Sequence, residues 1–246
     1  MSTGRCARGI DRNYAIAVLV LVALGLAALF DTRGRVPLSP DTPISQAYER
    51  YAGIGLMTCV LLPVYAIGVG DVMKRLGSSA RLARYANRQR ALVACAKGLL
   101  VRSLVFQAIQ MSFALAAAIF KSGIEYSLEG VTVFAVQQLV LGTLWFAVVS
   151  LAMLAGRLVW GWGILAVIPG FLYAGYDVLL GMTPLVLEPH LAMGWRLVLS
   201  ADPSDVPSSI AGAARLVTLA LLLALLCLRL SRGVDFFEGG AEDEGS

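Results

Sequence analysis

Residues Asn13–Phe30 read NYAIAVLVLVALGLAALF, 18 positions without a charged side chain. A helix needs about 20 mostly apolar residues to cross the roughly 30 Å hydrocarbon core of a bilayer. This stretch meets that need and has no polar face with which to sit on a soluble domain. Ile210–Leu230, IAGAARLVTLALLLALLCLRL, repeats the pattern near the other end. Between them lie Tyr51–Val69, Leu99–Phe120, Val133–Ala155 and Gly163–Met182. The third of these six carries Arg102, Gln107 and Gln110, and the fifth carries Pro169 and Asp177. The reading is an all-α polytopic membrane helix bundle of about six transmembrane helices, one domain over residues 1–237, with an acidic tail at 238–246 whose composition predicts disorder.

Composition agrees. Of the 246 residues, 58% are hydrophobic and 15% charged, against about 45–50% and about 25% in soluble domains. A soluble fold of this size has too little interior for that much apolar surface. The net charge of +4 does not mark nucleic-acid binding, because the basic residues sit between the apolar runs. With the N-terminus inside, thirteen Lys and Arg fall on the cytoplasmic side and six outside. The positive-inside rule then places both termini in the cytoplasm, and Arg102 snorkels toward that side. Arg5, Arg8 and Arg12 before the first apolar run also suit a signal peptide, but Leu29-Phe30-Asp31 is no small-residue cleavage site. The segment is therefore read as an uncleaved span. Arginine outnumbers lysine 17 to 3, which suggests a GC-rich bacterial coding sequence and a bacterial plasma membrane.

The outer connections are read from their turn residues. Asp31–Arg50, with Pro37, Pro40 and Pro43, is expected to be extended and irregular. Leu185–Leu199 suits a short interfacial helix with Trp195 in the headgroup zone. Ala201–Pro207 reads as a turn.

Reactive chemistry is sparse. The sequence has no Walker A motif, GxSxG, HExxH or GxGxxG. Cys6, Cys59, Cys95 and Cys227 form no CxxC, and His190 has no neighbouring Cys or His. No catalytic residue and no metal site is assigned. Pro63 and Pro169 are candidate kinks. Gln107, Gln110, Gln137 and Gln138 are candidates for hydrogen bonds between helices. Asp177 is costly in hydrocarbon unless paired or hydrated, and is read as either functional or interfacial. Asp177, Gln107, Gln110 and Tyr173 form a candidate transport path, although Tyr173 and Tyr176 also suit an aromatic belt.

The segment Gly70–Gly98, GDVMKRLGSSARLARYANRQRALVACAKG, is read as a cytoplasmic loop. Ser78 and Ser79 are N-cap candidates. Helical periodicity from Ala80 to Leu92 puts Arg81, Arg84 and Arg88 on one face. Such a helix suits either lipid headgroups or a carboxylate-lined groove on a partner, with Arg81, Arg84, Tyr85 and Arg88 as docking residues.

Three stretches resemble the membrane subunits of type 2 ATP-binding-cassette exporters. LLPVYAIGVGDVMKR, ending the second span, is similar to the family's apolar run with Leu-Pro before an acid and a basic turn. SSARLARYANRQRALVACAKGLL looks like its Arg-Tyr-rich stretch leading to a Lys before span three. LRLSRGVDFF is similar to its closing basic pair and Asp. Only about a dozen residues precede span one, so the family's interface helix is not evident there, and the chain carries no fused nucleotide-binding domain. The resemblance implies a permease that pairs as a homodimer or with a related chain. A separate cytoplasmic subunit would bind ATP, and no cofactor would sit on this chain. Two other readings stay open: an ATP-independent secondary transporter or channel, and an intramembrane enzyme, scaffold or immunity protein. The substrate is not readable from the sequence.

Overall fold

The structure, a computed structural model, describes residues 12–31, 39, 42–74, 88–160, 164–181 and 194–231, without the side chains of residues 71, 74, 88, 164 and 177–181. Among the described residues the chain is helical, with no strand. The elements are α1 (Arg12–Phe30), α2 (Ile44–Ala52), α3 (Ile54–Leu56), a π turn (Met57–Leu61) and α4 (Leu62–Lys74). They continue with α5 (Arg88–Ser122), α6 (Leu128–Trp160), a 3-10 turn (Ile164–Val167), α7 (Ile168–Gly181), α8 (Trp195–Leu199) and α9 (Val206–Leu230). Five stretches are long and apolar enough to cross a bilayer: Arg12–Phe30, Ile44–Gly70, Gln89–Ser122, Leu128–Trp160 and Val206–Leu230. Leu165–Tyr176 is a shorter apolar helix. The expected all-α membrane bundle is therefore present, with five helices of crossing length and α7 shorter than a crossing needs.

Contacts fix the directions of the helices. The Tyr14 hydroxyl donates to the Arg102 carbonyl at 3.0 Å, and the Lys121 ammonium donates to the carbonyls of Ala28 and of Asp31, the latter at 2.8 Å. Helices α1 and α5 thus run parallel, and a cation caps the carbonyl end of α1 where the helix dipole favours it. Tyr65 meets both Ser103 and Ser150, while Gln107 meets the Gln138 carbonyl. Helix α6 therefore runs antiparallel to α5. Gly212 lies near Leu141, and the Cys227 thiol lies 3.7 Å from the Leu151 carbonyl, so α9 runs parallel to α6. The start of α1 and the end of α9 consequently lie at the same end of the bundle. Arg12, Arg88, Arg90, Lys97, Arg157 and Arg229 also gather toward that end. Asp31, Glu129, Asp202 and Asp205 mark the opposite end.

Helix α6 is the centre. Of its apolar window, 78% is buried, against 17% for α1 and for α9. Lipid tails are as apolar as leucine, so close packing rather than water exclusion holds such helices together. Small residues supply that closeness. A Cβ on Gly25 would overlap the Phe113 ring, one on Gly156 the Ala166 carbonyl, and one on Gly170 the Met153 side chain.

Four expectations need revision. Residues 44–50 are helical, not irregular: Ile44, Ala47, Tyr48 and Ala52 recur at helical spacing and are buried, and Pro43 caps the start. The second span accordingly starts before Tyr51. Gly53 breaks it, and the wide π turn just ahead of Pro63 absorbs the ring and its missing N–H. The segment 70–98 is not all loop. Helix α4 continues to Lys74, and α5 starts at Arg88 and runs unbroken for 35 residues. Finally, of the interfacial helix expected at Leu185–Leu199 only Trp195–Leu199 falls in a described helix, residues 185–193 lie outside the described ones, and Trp195 is fully buried in the protein. The Ala201–Pro207 turn holds only in part. Asp202 accepts from the Ser204 amide and hydroxyl, but Val206 already begins α9, with Asp205 as its N-cap accepting from the Ser208 amide at 3.1 Å.

Candidate functional site

A polar seam runs down the interior between α5 and α6. Ser103, Gln107 and Gln110 recur at i, i+4 and i+7 on α5, and Gln138, Gly142 and Trp145 recur at the same spacing on α6. Both sets face the same side of their helices, and the antiparallel pairing lays them against each other. Unpaired amides and hydroxyls are costly in hydrocarbon, so such residues bury themselves against partners.

At the basic end of the seam, Tyr65 enters from α4. Its hydroxyl lies 2.7 Å from Ser103 Oγ and 2.5 Å from Ser150 Oγ. The two serines also donate to their own helices, at Leu99 (2.9 Å) and Phe146 (2.8 Å). With both serine hydrogens so placed, the Tyr65 hydroxyl donates to one serine oxygen, and it accepts from the other serine only when that hydroxyl turns away from its own helix. Its ring packs against Phe106 (5.1 Å) and Phe146 (4.5 Å). One side chain thus ties three helices together.

Halfway along, Gln107 Nε2 donates to the Gln138 carbonyl at 3.1 Å, and Gln138 Nε2 donates to the Val198 carbonyl at 2.7 Å. Gly142 makes this possible, because any Cβ there would overlap the Gln107 amide. Tyr48 of α2 donates to Gln110 Oε1 at 3.3 Å. Toward the acidic end, Gln137 Nε2 donates to the Asp202 carbonyl at 3.0 Å. The indole N–H of Trp195 donates to the Ala52 carbonyl at 2.7 Å. That carbonyl belongs to the last residue of α2, where the break at Gly53 removes its helical donor.

Of the sequence-chosen residues, Gln107 and Gln110 lie in this seam, 0% and 4% exposed. Tyr173 is half-buried on α7 and packs against the core. Asp177 lies in α7 and Arg88 opens α5, and both side chains fall outside the described residues. Arg81, Arg84, Tyr85 and His190 lie wholly outside them, as does the acidic tail. Tyr48, Tyr65, Ser103, Ser150, Trp145 and Trp195 were not singled out as a site. The signal available for them was a polar or aromatic residue at every turn of one face of an otherwise apolar helix. Among the described residues, no three His, Cys, Asp or Glu side chains cluster as a metal site, and Cys59, Cys95 and Cys227 are free thiols.

Chemically, the described seam holds amides, hydroxyls and an indole, groups that donate and accept hydrogen bonds. No family model, curated protein or solved structure matches the chain.

Proposed function

We propose that this chain is the membrane-spanning permease subunit of an ATP-driven exporter in a bacterial plasma membrane, worked by a separate cytoplasmic ATP-binding subunit. The observation that carries this reading is the length of α5. Its 35 residues at 1.5 Å each make about 52 Å, roughly 20 Å more than a hydrocarbon core requires. The surplus fits the end that begins with Arg88, Arg90 and Lys97. There α5 lies beside the close of α4: Val72 and Met73 are buried, as are Ala91, Leu92 and Cys95, and a Cβ on Gly98 would touch Val72 at 3.7 Å. This antiparallel pair would carry the end of α4 and the start of α5 clear of the lipid.

By the positive-inside rule the basic end faces the cytoplasm, with both termini there. Arg81, Arg84, Tyr85 and Arg88 would then dock on a carboxylate-lined groove of the ATP-binding subunit, since guanidinium–carboxylate pairs are strong and directional. Movement of the α4–α5 pair would reach α6 through Tyr65, Ser103 and Ser150. Gln107, Gln110, Tyr173 and Asp177 would border the path, formed with a second copy or a related chain. ATP binds the partner, and this chain carries no cofactor.

The test is affinity purification of the full chain from its native membrane in mild detergent. A stoichiometric ATP-binding-cassette ATPase is expected, lost when Arg81, Arg84 and Arg88 are all changed to Glu. Absence of any ATPase in the wild-type preparation would contradict the reading. A second reading, an ion-coupled transporter without ATP, is favoured by the single acid Asp177 within the apolar α7. Transport that survives nucleotide depletion but not Asp177→Asn would select it.

A further inference from the structure

The glutamine belt offers more hydrogen-bonding capacity than the protein uses. Gln107 Oε1, Gln110 Nε2, Gln138 Oε1 and Trp145 Nε1 are all buried and have no hydrogen-bond partner among the described residues. None of the four side chains is more than 4% exposed. Their other ends are anchored: Gln107 and Gln138 donate to backbone carbonyls and Gln110 accepts from Tyr48. Trp145 is held by the Trp195 ring at 5.0 Å. Each amide is thus held at one end while its other polar atom remains buried.

The chemistry of the set selects its ligand. Two of the four atoms accept hydrogen bonds, two donate, and none carries a formal charge. A cation would face two N–H groups and an anion would face two carbonyl oxygens. Water, neutral and able both to give and to take hydrogen bonds, suits donors and acceptors alike. Buried waters typically make about three such bonds to polar groups that would otherwise stay unmet. Inside a lipid-spanning bundle the demand is greater, because no bulk water reaches those groups.

We propose that the junction of α2, α5, α6 and α8 around Gln107, Gln110, Gln138 and Trp145 is an internal hydration site that holds exchangeable water deep in the spanning part of the bundle. The inference stands without the exporter reading, since it rests on the buried polar atoms alone.

Hydroxyl-radical footprinting by X-ray pulse on the full chain in lipid nanodiscs tests it. Radicals form from water and oxidise the side chains that water touches. Trp145 and Tyr48 are expected to be oxidised, taking up 18O after brief mixing with labelled water. Met153, equally buried and readily oxidised when wetted, is the dry control. The site is expected to label at least tenfold faster than Met153. Labelling of Trp145 at or below the Met153 rate would overturn the proposal. Changing Gln107 and Gln138 together to Leu is expected to cut Trp145 labelling at least fivefold while the other oxidation sites stay unchanged. Unaltered Trp145 labelling in that folded double variant would overturn the assignment to these side chains.

Discussion

The indole N–H of Trp195 donates to the Ala52 carbonyl at 2.7 Å, across 143 residues of chain. The bond closes the helix break at Gly53 and anchors α8 against α2. Trp195 is completely buried and stacks edge-on with Trp145. Trp195→Phe keeps much of the packing but leaves the carbonyl unmet. A loss of about 1–3 kcal/mol is expected, read as a lower midpoint in denaturant or heat. Trp160→Phe, at a half-exposed position, is expected to leave the midpoint unchanged.

Tyr65 bonds both Ser103 and Ser150. Residues that share a buried hydrogen bond are not independent, so a double-mutant cycle of Tyr65→Phe and Ser150→Ala is expected to give a coupling of about 0.5–2 kcal/mol. A coupling near zero would show that the hydroxyls do not act together.

Gly142 lies directly under the Gln107 amide. Gly142→Ala is expected to destabilise the protein by about 1–3 kcal/mol, the usual cost of overpacking, despite its helix-favouring side chain. Adding Gln107→Ala to that variant makes room for the new methyl. Partial recovery of the midpoint is the expected result, and further loss would contradict the contact.

Asp202 accepts hydrogen bonds from the amide and hydroxyl of Ser204, which hold its carboxyl below the ordinary 3.8. A carboxyl depressed in the folded state adds stability that is complete above its unfolded value and disappears as pH falls through the folded one. The wild-type chain is therefore expected to lose a small increment of stability only below pH 4. The Asp202→Asn chain lacks that increment, so its midpoint relative to wild type is expected to rise as pH drops from 5 to 3. A difference that does not change with pH would contradict the assignment.

The sequence disclosed the bundle because hydrocarbon tolerates only helices with satisfied backbones. Runs such as Asn13–Phe30 and Ile210–Leu230 are therefore read as helices. Helix α2 was hidden because Pro37, Pro40 and Pro43 suggested irregular chain, while its buried stripe of Ile44, Ala47, Tyr48 and Ala52 spans only nine residues. Trp195 was hidden for a related reason. Tryptophan at a span's edge suggests the headgroup zone, and nothing in that pattern discloses the protein slot over the Ala52 carbonyl. The four glutamines were legible as bridges between helices. Their partners were not, because three of them are backbone carbonyls, which no side-chain pattern reveals. Arg81, Arg84 and Tyr85 remain sequence-based candidates, since they lie outside the described residues.

The account rests on helices that alternate in direction through a bilayer and return the two chain ends to one side. Reporter fusions at Met1 and Ser246, with a third inserted in the connection at residues 123–127, measure this in living cells. The account predicts the same cytoplasmic compartment for both ends and the opposite compartment for the connection. Ends in different compartments, or a connection on the same side as the ends, would contradict it.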